Sequence, residues 1–95
     1  MDNTSERILE IKVKYDDAIR KIAEYRTELD VLRKVEQTLK EDLKKGRISR
    51  EKYNLRLTEN KAATQQYTDA IRVLNKQIQN ERKEQTELEG SLVRL

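Results

Sequence analysis

Two groups of side chains in this sequence could do chemistry. The first is a cluster of cations in "KKGRISREKYNLR", residues 44–56, where Lys44, Lys45, Arg47, Arg50, Lys52 and Arg56 face the single acid Glu51. Arg47, Arg50, Lys52 and Arg56 could hold the phosphates of a polyanion, and Tyr53 could stack on a base. The second group is the adjacent carboxylates Asp16/Asp17 and Glu41/Asp42. Neighbours on a helix project about 100° apart, so such a pair does not converge on one proton or one metal ion. Cations also stand one turn away at Arg20, Lys21 and Lys45, which reads as a salt-bridged surface.

The rest of the usual catalytic repertoire is missing. The chain has no His and no Cys, which removes the common nucleophile and acid–base sets, thiolate metal sites and disulfides. Its two glycines are far apart, so no phosphate-cradling loop exists. The expectation is a protein without catalytic residues, cofactor or metal.

The elements that carry these groups are legible in the spacing of apolar residues. Charged residues make up 41% of the 95, with no Pro, Phe or Trp, a composition of long helices. A 3-4 repeat from Ile8 gives Ile8, Ile11, Tyr15, Ala18, Ile22, Tyr25, Leu29, Leu32, Glu36, Leu39 and Leu43; only Glu36 is polar, and Val35 beside it could turn inward. This is a coiled-coil seam. Six acid-to-base pairs four apart support the outer face: Glu10/Lys14, Asp16/Arg20, Asp17/Lys21, Asp30/Lys34, Glu36/Lys40 and Glu41/Lys45. The same repeat from Tyr53 gives Tyr53, Leu57, Asn60, Thr64, Tyr67, Ile71, Leu74, Ile78, Glu81, Gln85, Leu88, Leu92 and Leu95, with polar gaps at Asn60/Thr64 and Glu81/Gln85. No acid-to-base pair four apart supports this helix, and its weakest stretch is 79–87.

Between the seams lies a stop and a start. Gly46 after Lys44 and Lys45 suits a helix C-terminus, since the lysines oppose the negative end of the dipole. Ser49 suits an N-cap, with Ile48 and Tyr53 placed for a hydrophobic staple. The expected fold is all-α: a single domain over 1–95 that forms an antiparallel helical hairpin. Its helices run over about 4–45 and 50–89, with a bend at 46–49 and coiled-coil packing. With the bend near Arg47, residue i faces residue 94 − i, and Leu88, Leu92 and Leu95 overrun the first helix. A second apolar stripe of Ile19, Ala23 and Val35, with Ala63 and Ala70, has no third layer to cover it. Self-association into a homo-oligomer is the expected remedy, because two-helix cores are marginal.

Within this frame the basic cluster has structural work. Lys44 and Lys45 serve the dipole and Tyr53 the staple, so a nucleic-acid partner is the weaker reading, as is a chaperone or adaptor hairpin. No apolar run approaches a membrane span, and the N-terminus lacks a signal-peptide plan, which points to the cytoplasm at synthesis.

"LNKQIQNERKEQTELEGSLVRL", residues 74–95, resembles the N-terminal coiled-coil region of bacteriophage and prophage tail tape-measure proteins, at Glu89, Gly90, Ser91, Leu92 and Leu95. "GRISREKYN", residues 46–54, is a similar but less specific junction. The resemblance implies a non-enzymatic structural role in tail assembly and length determination, contacts with other tail proteins, and a place in the virion tail. It also implies that these 95 residues are one piece of a longer chain, with Gly90 and Ser91 closing the second helix and opening a third.

Overall fold

The computed structural model describes the backbone of residues 3–94 and the side chains of residues 3–90. It is all-α, with helix α1 at Thr4–Lys44 and helix α2 at Arg50–Arg94 packed antiparallel as a hairpin. α1 ends one residue earlier than the spacing predicts, and α2 runs past the expected end near 89. Gly90 lies inside α2 and does not close it, which corrects the reading of a third helix beginning there. A glycine in a helix interior costs about 1 kcal/mol relative to Ala, too little to stop so long a helix.

The bend is built as its residues require. Gly46 has φ +72°, the left-handed conformation. Its N–H donates to the Leu43 carbonyl at 3.2 Å, and the Arg47 N–H donates to the Asp42 carbonyl at 2.8 Å. These two bonds form a Schellman motif that satisfies the last carbonyls of α1. Two residues later the Ser49 hydroxyl accepts from the Lys52 N–H at 3.1 Å, and the Ser49 carbonyl accepts from Tyr53 at 2.9 Å. Ile48 and Tyr53 are half-buried on either side of this N-cap, as a staple places them.

The chain packs as two units. In the unit spanning Glu24–Ala70, Leu39 is buried, and Tyr25 and Tyr67 meet with ring centroids 5.5 Å apart, tilted by 48°. Leu29, Leu32, Leu43, Tyr53 and Leu57 are half-buried around them. Buried Asn60 crosses between the helices, its Nδ2 donating to the Leu32 carbonyl at 3.0 Å. Asn60/Leu32 and Tyr25/Tyr67 both obey residue i facing 92 − i, not 94 − i. The chain therefore reverses about Gly46, one residue before Arg47, because the Schellman turn already folds it back there.

In the unit formed from residues 1–23 and 71–95, Ile11, Ala18 and Ile22 are buried, and Ile8, Tyr15, Ile71, Leu74, Ile78 and Leu88 are half-buried. The stretch 79–87 stays helical. Leu88 does not overrun α1: the register sets it level with Thr4, where α1 begins. Leu92 and Leu95 lie outside the described side chains.

Candidate helix–helix interface and basic bend

The seam is the most continuous feature that these elements build. All eleven α1 slots from Ile8 to Leu43 and all eleven α2 slots from Tyr53 to Leu88 are buried or half-buried, polar ones included. Glu36 keeps its slot while Val35 stays 42% exposed, contrary to the inward turn expected of the valine. Glu36 is half-buried there while its carboxylate reaches Lys40 at 3.5 Å, the habit of a long amphipathic side chain. Tyr15 presents its ring to the Arg82 guanidinium at 5.8 Å, a cation–π contact.

The outer face of α1 pairs differently from the expected set. Of the six pairs four apart, Glu36/Lys40 closes. Arg7–Glu10, Arg20–Asp17 and Arg33–Asp30 close at three apart, with arginine curling over the turn. These exposed contacts contribute little. On α2 the support comes from amides that acid-to-base counting overlooks. Gln65 donates to Asp69, Gln77 to Glu81 and Gln85 to Glu89, each four residues on. A Gln with an acid four positions later is the sequence signal that finds them.

An ion pair joins the two helices. Arg7 sends Nε and Nη2 to the two carboxylate oxygens of Glu84 at 2.8 and 3.0 Å, a bidentate fork. Its hydrogen bonds, with Lys14 nearby, hold the Glu84 carboxyl below its ordinary value, and Arg7 is correspondingly raised. A carboxyl lowered in the folded state stabilises above its unfolded value and loses that contribution as pH falls through the folded one. Thermal stability should therefore drop on acidification below about 4.5. The Arg7→Gln variant should show a smaller drop when melting is followed by circular dichroism. An equal drop in both would show that the pair is not formed in solution.

At the bend, Lys44, Lys45, Arg47, Arg50, Lys52 and Arg56 are all exposed. Arg47 approaches Asp42 at 3.5 Å; for the other five no ion pair forms among the described residues. Tyr53 is committed to the staple and the seam, so the bend offers charge without a stacking platform. The Gly46→Ala variant isolates the backbone requirement, because open space surrounds the position a Cβ would take. It should cost about 1–2 kcal/mol, the price of left-handed φ for an L-residue, as a shift in urea midpoint. An unchanged midpoint would mean that α1 and α2 join without this turn.

The second apolar stripe is open. Ile19, Ala23 and Val35 are exposed, Ala63 and Ala70 half-buried. Leu32, Val35, Leu39, Asn60, Ala63 and Arg56 line a shallow groove of about 240 Å³ between the helices of the 24–70 unit. Among the described residues no group of acids is placed to hold a metal ion, and no helix is long and apolar enough to cross a membrane. No family model, no curated protein and no solved structure matches the chain.

Proposed function

We propose that this chain is a non-enzymatic structural coiled-coil module that works through helix–helix contacts, in the first place with a second copy of itself. The observation that carries the reading is the mismatch between buried and exposed apolar side chains. Among the described residues the only buried apolar ones are Ile11, Ala18, Ile22 and Leu39, whereas Leu9, Val13, Ile19, Val31, Val35, Leu55 and Val73 are large, apolar and exposed. A core that small is marginal for a free-standing domain, and association offsets the deficit. The resemblance of residues 74–95 to tape-measure coiled coils extends the proposal to a role in phage tail assembly and length determination, with other tail proteins as further partners.

Light-scattering mass on the purified chain tests the first part; a monomer at high micromolar concentration would overturn it. Antibody against the chain, applied to tail particles purified from the producing cells, tests the second. A protein abundant in those cells and missing from the particles has no place in the tail.

A further inference from the structure

The residue that precedes each seam slot of α2 falls on one flank of the helix, because the seam stays buried or half-buried from Tyr53 to Leu88 and its flank must follow it. That flank has a charge polarity. It starts with the exposed cations Lys52 and Arg56 and ends with the acids Glu84 and Glu87. Its middle carries no charge: Ala63 and Ala70, both half-buried, alternate with exposed Gln66, and Val73 at 65% exposure and exposed Gln77 follow.

The spacing is symmetric about Ala70. Arg56 and Glu84 each lie 14 residues from it, about 21 Å along the axis, and Lys52 and Glu87 lie 18 and 17 residues away. We infer that this flank is the surface on which a second copy docks antiparallel, with the two Ala70 residues at the two-fold axis, Lys52 against Glu87 of the other copy and Arg56 against Glu84. The inference rests on the self-association proposed above and adds its surface and orientation.

Three features favour this occupant. A two-fold makes the surface self-complementary and closes the assembly, as isologous dimers do. A parallel copy would set cations on cations and acids on acids, which flanking charges in coiled coils are placed to prevent. Alanines at the crossing let two helix backbones approach closely, and Val35 beside Ala63 in the groove extends the apolar contact onto α1. Glu59 comes level with Asn80 of the other copy, a neutral match. Glu84 already binds Arg7, so Arg56 of the other copy joins an existing pair, whereas Lys52 and Glu87 form theirs anew.

The test is a charge swap at the two exposed ends. Lys52→Glu and Glu87→Lys should each raise the dimer dissociation constant by about tenfold, since a homodimer meets each changed contact twice and turns it repulsive. Mixing the two variants restores Glu against Lys at one contact and Lys against Glu at the other, so the mixture should return to the affinity of the original chain. Sedimentation equilibrium reads all four samples, with circular dichroism confirming helicity. A dimer indifferent to both substitutions, or a mixture no tighter than its components, overturns the orientation while leaving self-association standing. An original chain that stays monomeric overturns both.

Discussion

Ile11→Ala should lower the stability of the hairpin by about 2–5 kcal/mol, the range for a fully buried aliphatic side chain cut back to a methyl. Ile11 is the only side chain among the described residues with 0% exposure. Among the described residues its unit holds just two other buried apolar residues, Ala18 and Ile22. Leu9 is the internal comparison, two positions away and 64% exposed. Leu9→Ala should lower the unfolding free energy by no more than about 0.5 kcal/mol in an isolated hairpin, read from urea denaturation. The pair of variants also reports on association. If Leu9→Ala costs as much as Ile11→Ala, Leu9 is covered by another chain, and the loss should grow with protein concentration. If neither costs anything, the seam is not the core.

The contrast between Ile11 and Leu9 shows why the seam was legible. A 3-4 repeat assigns each residue a face without reference to any other element, and two helices with one bend leave little else to decide. Ile11 and Leu39 occupy slots that the repeat marks, as do the polar Asn60 and Glu81. The bend was legible for the same local reason: Gly46 and Ser49 act on carbonyls and N–H groups within five residues of themselves. The Arg7–Glu84 fork was not, because it joins residues 77 apart and depends on a register that pattern alone sets only to within a residue or two. Nor could the repeat tell that Arg20 would take Asp17 over Asp16, a choice between rotamers of similar energy on an exposed turn. What the flank of α2 does is legible in charge order, but only once the seam beside it is known to be closed.

Glu81→Leu should raise stability by about 1–4 kcal/mol, an unusual sign for a substitution at a buried site. Glu81 sits in a seam slot with 8% exposure. One carboxylate oxygen accepts from Gln77 Nε2 at 3.1 Å, while Oε2 is buried without a hydrogen-bond partner among the described residues. A buried acceptor left unpaired costs roughly 1–3 kcal/mol, and leucine removes that cost while adding apolar area opposite Ile11. The expected trade is in specificity. A polar residue in a coiled-coil seam penalises registers that bury it more deeply or strip it of its partner, so it narrows the alternatives at a cost in stability. The leucine variant should therefore have a higher urea midpoint and a broader distribution of masses by sedimentation, with Gln77 free to turn outward. Glu81→Gln keeps the shape and removes the charge, and should fall between the two. A loss of stability in the leucine variant would mean that Oε2 is satisfied in solution by a cation or a water. Glu81 would then act as a binding group and not as the element that holds the two helices in register.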